Sequence, residues 1–171
     1  VTVEAGHYAL ILALVLAFAQ SAGGLLAGPR AAAVARSAAL GQAAFLVLAF
    51  AALTLAHVES DFSVANVVEN SHSTKPLLYK ISGVWGNHEG SMVLWVLVLA
   101  LFGGAVAGAG SGLSYSLRAR VLGVQGVIGA GFLLFILFSS DPFQRVFPPP
   151  PDGQGLNPLL DRKSTRLNSS H

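Results

Sequence analysis

The stretch DFSVANVVENSHSTKPLLYKISGVWGNHEGSMVLW, residues 61–95, joins a polar loop with histidines and aromatic residues directly to an apolar, charge-free segment. The sequence around it is strongly apolar, because 53% of the 171 residues are hydrophobic and only 11% are charged. A helix of about 20 apolar residues is long enough to cross the ~30 Å hydrocarbon core of a bilayer. We therefore interpret this stretch as a junction between a chemistry-bearing loop and a membrane helix.

Four apolar segments without Asp, Glu, Lys or Arg define the predicted membrane spans, at about residues 8–28, 37–56, 91–113 and 121–140. The residues before the first span include Glu4 and no basic residue, which argues against a cleaved signal peptide. The predicted fold class is an all-α integral membrane protein with four transmembrane helices. A periplasmic loop at 57–90 is predicted to contain a short interfacial helix.

The basic residues predict the orientation of the spans. Arg30 and Arg36 lie between the first two spans, and Arg118 and Arg120 lie between the last two, with no acidic residue in either place. Positively charged short loops stay in the cytoplasm. The opposite side is mainly acidic, with Glu4, Glu59, Asp61, Glu69, Glu89, Asp141 and Asp152. We therefore expect a multi-pass protein of the bacterial inner (cytoplasmic) membrane, with its N-terminus and long loop in the periplasm and with membrane lipid around it.

The last eleven residues, DRKSTRLNSSH, match the in-frame translation of a common short-read sequencing adapter. We interpret residues 161–171 as a foreign tail and expect the natural chain to continue past Leu160. The formal charge of +2 depends on this tail, because residues 1–160 contain seven basic and seven acidic side chains. Residues 1–160 are then the N-terminal four-helix membrane region of a longer chain, without the basic surface that nucleic acid requires.

Three glutamines interrupt the apolar spans. Gln20, Gln42 and Gln125 all fall in the predicted cytoplasmic half of the bilayer. Amides at one depth can form an interhelical hydrogen-bonded layer, and each can instead satisfy itself locally. The sequence leaves both arrangements open.

Two glycine repeats predict close helix packing. Glycines recur every four residues on the third span and every three on the fourth, at positions 104, 108 and 112 and at positions 123, 126 and 129. Small residues at such spacing let helix backbones approach each other closely. We read both repeats as packing signals.

The outer loop contains a predicted amphipathic helix. Thr74, Lys75 and Pro76 form its start, because proline is tolerated in the first turn. The apolar residues that follow at helical spacing are Leu77, Leu78, Ile81 and Trp85. We expect this helix to lie in the membrane interface, with Tyr79 and Trp85 at headgroup level and Lys75 and Lys80 toward water.

The histidines do not form a recognisable metal motif. His88 and Glu89 begin like HExxH, but the second histidine position is Met92, so the metalloprotease interpretation fails. His72 lies sixteen residues before His88 in a chain without cysteine, which makes a zinc site improbable and leaves no thiol chemistry. Interfacial hydrogen bonding is the expectation for these two side chains. For His7 and His57 we expect capping or anchoring at the interface.

The sequence resembles the N-terminal part of CcmF, the haem lyase component of bacterial cytochrome c maturation. The resembling segments cover essentially residues 1–160, and the most specific is WGNHEGS. They are GHYAL at 6–10, DFSV at 61–64, NSHSTKPLLYKISGVWGNHEGSMVLW at 70–95, GFLLFILFSSDPF at 131–143 and PPPPDGQGLNPLL at 148–160.

This resemblance implies a membrane protein that holds haem and helps attach it to a CxxCH motif of an apocytochrome c at the outer face of the inner membrane. It implies two partners besides apocytochrome c: the haem chaperone CcmE and a CcmH-type thioredoxin-linked module. The family's tryptophan-rich segment and axial histidines lie beyond Leu160, so the resemblance supplies no catalytic residue, no metal site and no haem ligand here. His72, Trp85 and His88 are the loop candidates for haem contact.

Two other functions stay open at this point. An ion or proton transporter subunit normally carries ionisable residues within its spans, and these spans have none. A membrane scaffold that supports a site supplied by another part of the chain fits the same composition.

Overall fold

The computed structural model describes residues 2–26, 28–72, 74–109, 112 and 114–146. Within them the chain forms six helices: α1 (Thr2–Leu25), α2 (Pro29–Val58), α3 (Ala65–Asn70), α4 (Leu77–Trp85), α5 (His88–Ala109) and α6 (Tyr115–Ser139). Helices α1, α2, α5 and α6 are long and apolar enough to cross a membrane. The described residues contain no strand, only one isolated bridge between Val64 and Arg145. The all-α prediction with four membrane helices is confirmed, whereas the proline run at 148–151 and the tail at 161–171 lie outside the described residues.

The helices extend beyond the charge-free spans. Helix α2 has 30 residues and starts at Pro29, which takes the first helical position. At 1.5 Å per residue it is about 45 Å long, more than the hydrocarbon core requires. Arg30 and Arg36 therefore lie on the first turns of α2 rather than in a loop, because helical hydrogen bonding continues where the sequence becomes charged.

The four long helices pack around one apolar core. Helix α1 lies between α2 and α6, and α5 contacts both α2 and α6. The largest fully buried side chains of this core are Leu10, Leu46, Leu53, Leu133 and Ile136. Helix α4 packs on α2 and α5 and closes the bundle at the end where the long loop lies. We call this end the outer end.

Two of the three glutamines join different helices. The Nε2 of Gln20 donates to the Leu122 carbonyl at 2.8 Å and lies 3.4 Å from the Oε1 of Gln125. Gln125 in turn donates to the Leu99 carbonyl of α5. For Gln20 and Gln125 the structure thus favours interhelical hydrogen bonds over bonds within one helix. These amide bonds link α1, α5 and α6 inside the membrane, where lipid offers no hydrogen-bond partner.

The glycine repeats differ in their packing. A Cβ built on Gly123 of α6 would lie 2.8 Å from the backbone of Gly24 of α1, so these two helices meet at backbone distance. On α5, a Cβ on Gly104 would make ordinary contact, 3.6 Å from the Ala43 Cβ. A Cβ on Gly108 or on Gly112, which follows α5, would meet no described residue within 4 Å. The packing prediction is therefore confirmed for α6. On the third span it is wrong for Gly108 and Gly112, which do not pack closely against any described helix.

His57 is a core residue rather than an interface anchor. Its side chain is fully buried, and its Nδ1 lies 3.0 Å from the Leu53 carbonyl oxygen. The chain folds back at this point, where the backbone N–H of Asp61 donates to the Ala56 carbonyl at 2.9 Å. The expectation that His57 caps or anchors at the interface is wrong. The sequence pattern does not reveal that α4 packs on α2.

Candidate functional site

The WGNHEGS stretch forms a rigid junction between α4 and α5, with Asn87 at its centre. The Oδ1 of Asn87 accepts from the backbone N–H of Gly90 at 2.7 Å, which is the side-chain cap of an α-helix start. Its Nδ2 donates to the Gly83 carbonyl at 2.7 Å and to the Val84 carbonyl at 3.1 Å. One amide therefore closes the end of α4 and opens α5.

Helix α3 is fixed to the same junction through Asn66. The Nδ2 of this buried side chain donates to the Oδ1 of Asn87 at 2.8 Å and lies 3.5 Å from the Oε2 of Glu89. Amide hydrogen bonds in a buried setting need every partner, because an unpaired group there is costly. Three helices are thus held by two asparagines.

Gly90 makes this junction sterically possible. A Cβ at this position would lie 1.6 Å from the Val84 carbonyl oxygen, far inside van der Waals contact. Only glycine lets the backbone of α5 pass so close to the end of α4. This packing explains why the sequence requires glycine two residues after His88.

His88 begins α5 and is exposed at the outer end of a surface groove. Its Nε2 lies 3.1 Å from the Oγ of Ser140, and its ring meets Phe135 edge-on at a centroid distance of 6.2 Å. The groove has a volume of about 560 Å³ and an apolar lining: Met92, Val127, Ile128, Gly131, Phe132 and Phe135 accompany His88. The expectation of a hydrogen-bonding histidine is confirmed here.

His72 lies in the segment between α3 and α4 and is held locally. Its Nδ1 accepts from the backbone N–H of Thr74 at 3.2 Å and lies 2.8 Å from the Thr74 Oγ1. These contacts hold the imidazole of His72 against its own loop.

Helix α4 presents an apolar and aromatic face to the outside. Leu77, Leu78, Tyr79 and Trp85 are exposed, and Val84 is the buried residue of this helix. The predicted helix is therefore confirmed from Leu77 onward. Pro76 is its N-cap residue rather than part of its first turn. An exposed apolar face on a short helix is typical of a segment at the membrane interface or of a docking surface.

The two loop lysines point back to the protein instead of away from it. The Nζ of Lys80 donates to the Oγ of Ser60 at 2.9 Å, and the Nζ of Lys75 donates to the Asn70 carbonyl at 3.1 Å. The expectation that both reach toward water is wrong, because nearby oxygens at the ends of α2 and α3 offer partners. The Lys80 bond ties α4 to the end of α2, and the Lys75 bond ties the segment before α4 to the end of α3.

Each described histidine has a partner within the part of the chain that the structure describes. Haem iron is held by axial side chains, most often histidine, methionine or cysteine. Of the histidines described, His57 is buried against Leu53, His7 lies 3.5 Å from Asp141, and His72 and His88 contact the separate partners given above. In this part of the chain no cluster of three His, Cys, Asp or Glu side chains is placed to hold a metal ion.

A polar clamp at the outer end joins three segments that are distant in the sequence, and no motif predicts it. Arg145 donates to Glu4 and, at 2.5 Å, to the Oγ of Ser63. The Oγ of Ser63 also donates to the Oδ1 of Asp61 at 2.5 Å. The backbone N–H of Val146 donates to the Ser63 carbonyl at 2.8 Å, which produces the isolated bridge. The clamp fixes the chain that leaves α6 against the start of α1.

Comparisons with known proteins identify close relatives, although no protein-family model matches the chain. The chain is 60% identical over 161 residues to the cytochrome c-type biogenesis protein CycK of Bradyrhizobium diazoefficiens, which covers 92% of this chain and 24% of that protein. It is 50% identical over 162 residues to the cytochrome c-type biogenesis protein CcmF of Pseudomonas aeruginosa, which covers 92% of this chain and 25% of that one.

A solved structure shares the fold. The cytochrome c haem lyase CcmF matches with a TM-score of 0.79 and 26% sequence identity, over 84% of this chain and 25% of the other. The chain thus spans about a quarter of the length of the curated relatives it matches. In those relatives the matched region is one section of a longer protein.

Proposed function

Because this chain belongs to the CcmF family of cytochrome c-type biogenesis proteins, we propose that it is the N-terminal membrane section of a protein that attaches haem to apocytochrome c. The observation that carries the proposal is the match in sequence over 92% of the chain, together with the match in fold to a haem lyase. The activity belongs to the whole protein. This section supplies the frame, and the axial haem ligands come from outside the described residues.

The outer face of this section is the surface we assign to the function. We call it the outer platform and define it by the exposed side chains of Leu77, Leu78, Tyr79 and Trp85 with His88. Its backbone is held by Asn66, Asn87 and the tight contact at Gly90, so it stays in one position. A rigid apolar and aromatic surface suits haem, whose ring is largely apolar. Trp85 and His88 are the side chains proposed to touch haem, and His72, in the segment before α4, is the third candidate.

The partners follow from the family. We propose that the outer platform faces the route by which haem arrives from the chaperone CcmE and meets the CxxCH motif of apocytochrome c. A CcmH-type thioredoxin-linked module completes the proposed set of partners. The transporter alternative receives no support, since the central parts of the spans carry no ionisable residue.

The function is tested in a whole protein. We propose a chimera of CycK from Bradyrhizobium diazoefficiens in which residues 1–160 of this chain replace the matching quarter of CycK. The chimera is produced in a host that lacks its own CycK gene. We expect this chimera to restore covalently bound haem, measured by haem staining of denatured c-type cytochromes. Replacing both Leu78→Gln and Trp85→Ala should reduce the staining several-fold at equal chimera level, because the platform loses its apolar surface.

The matched control is Leu26→Gln, which changes a side chain of similar exposure at the opposite end of the bundle. It should leave haem staining unchanged. A well-produced chimera without any staining would contradict the proposed function. Normal staining in the Leu78→Gln, Trp85→Ala variant would leave the function standing and remove the platform from it.

We also propose the orientation in which the outer platform faces the periplasm, supported by the arginines at the other end of the bundle. Single cysteines can be placed at Thr74 and Ser116, since both side chains are exposed and the chain has no native cysteine. An impermeant thiol reagent should label Thr74→Cys in intact spheroplasts and Ser116→Cys only after lysis. Labelling of Ser116→Cys before lysis would reverse the orientation.

A further inference from the structure

A cleft with two arginines opens at the inner end of the bundle, between the first turns of α2 and of α6. Its volume is about 460 Å³. Arg36 and Ser37 line it from α2, and Arg118 lines it from α6. The remaining lining is small or apolar: Pro29, Ala32, Ala33, Leu40, Ala119 and Leu122. The cleft thus combines a basic mouth with apolar walls.

Arg118 carries an unused donor in this cleft. Its Nε is buried and has no acceptor within hydrogen-bond distance in the part of the chain that the structure describes. A guanidinium has five N–H donors arranged to bind planar oxygen pairs such as those of a carboxylate or phosphate. A buried donor without an acceptor destabilises the fold unless a ligand supplies the oxygen.

The electrostatic setting of the cleft favours an anion. None of its nine lining residues, all of them described, is acidic. The two guanidinium groups of Arg36 and Arg118 therefore give the cleft a net positive charge. An anion between them would be attracted by both.

The depth of the cleft identifies the kind of anion. Arg36 and Arg118 lie near the ends of membrane-spanning helices, which is where lipid headgroups meet the protein. Leu40 and Leu122 continue the cleft one turn deeper, toward the hydrocarbon. We propose that the cleft binds an anionic phospholipid, with its phosphate between Arg36 and Arg118 and its acyl chain along Leu40 and Leu122. Basic pockets between membrane helices recognise lipid headgroups in this way.

The proposal is tested by native mass spectrometry of the full chain in detergent, with equal amounts of phosphatidylglycerol and phosphatidylcholine added. The chain should retain phosphatidylglycerol in preference. Arg36→Gln and Arg118→Gln should each lower that retention about fivefold, the effect expected for one basic side chain at a lipid headgroup. Ala33→Phe, which fills the cleft and keeps both charges, should also expel the lipid.

Arg30→Gln is the matched control, because it removes the same charge from an exposed position outside the cleft. Its phosphatidylglycerol retention should equal that of the unchanged chain. Equal loss in Arg30→Gln and Arg118→Gln would overturn the site in favour of diffuse surface charge. Displacement of the lipid by millimolar inorganic phosphate would assign the cleft to a free anion and overturn the lipid assignment. Far-UV circular dichroism confirms that each variant keeps its helices.

Discussion

Helix α5 contains glycines with opposite surroundings. At the outer end, Gly90 is enclosed so tightly that a Cβ would lie 1.6 Å from the Val84 carbonyl oxygen. On another face of the helix, a Cβ on Gly104 would make an ordinary contact, and one on Gly108 would meet no described residue within 4 Å. The outer end of α5 is therefore fixed in one geometry, whereas the face with Gly104 and Gly108 has room for a methyl group among the described residues.

This difference teaches that a glycine in a membrane helix has no single meaning. Glycine is frequent in such helices, and its spacing alone does not reveal which face meets a neighbour. On α6 the same residue type does meet a neighbour, since Gly123 lies against the backbone of Gly24. The proposed function depends on a tightly packed glycine, because the contact at Gly90 holds the outer platform in place.

The strongest test of this comparison is a pair of alanine substitutions. Gly90→Ala should lower the free energy of unfolding by about 3 kcal/mol or more, because its methyl group collides with backbone rather than with a movable side chain. Gly108→Ala should leave the free energy unchanged or raise it by up to ~1 kcal/mol, the helix-propensity gain of alanine over glycine. Unfolding of the detergent-solubilised chain by sodium dodecyl sulfate, followed by circular dichroism, measures both.

Equal stability of these two variants would contradict the description of the α4–α5 junction. A loss of unfolding free energy in Gly108→Ala alone would show that α5 is constrained around Gly108 rather than at Gly90. Either result would also remove the physical basis for a rigid outer platform.

A smaller effect is expected at the helix caps. Asn87→Ala should destabilise the chain by about 1–2 kcal/mol, because the cap of α5 and the bond from Asn66 are both lost. Ser114→Ala provides the control, since Ser114 caps α6 at an exposed position with a longer bond of 3.4 Å. Its cost should be about 0.5 kcal/mol. The same unfolding titration compares them, and a larger loss for Ser114→Ala would show that the junction is not the tighter end.

The membrane helices were the most predictable part of the fold. Hydrophobic length and the absence of charge are local properties of the sequence, so the four spans could be assigned without knowing any contact. The Gln20–Gln125 contact could be anticipated for a similar reason, because helix rise places both residues at one depth. Helix packing was harder to predict from the sequence. The sequence did not show that His57 is buried or that a Cβ on Gly108 would meet no described residue.

The site was only partly predictable. Position in the outer loop suggested His72, Trp85 and His88 as candidates for haem contact, and this stays a prediction. The hydrogen bond expected of His88 is present at the surface, to Ser140. The pairing of the two asparagines was missed, since Asn66 lies 21 positions before Asn87 and belongs to no motif of its own. The clamp between Arg145 and Glu4 was missed for the same reason, because it joins residues 141 positions apart. Opposite charge at the two ends of the apolar region was the one available signal.

The central claim is that this section frames a haem-handling protein without ligating the iron itself. It is tested most directly by the Soret absorption of purified protein, divided by protein concentration. Residues 1–160 in detergent should carry far less than one haem per chain, while the complete CcmF-family protein that contains this section should carry haem. The variants His72→Ala and His88→Ala of residues 1–160 should give the same low ratio. Near-stoichiometric haem on residues 1–160, lost in either variant, would make the outer loop a ligand site and contradict the claim.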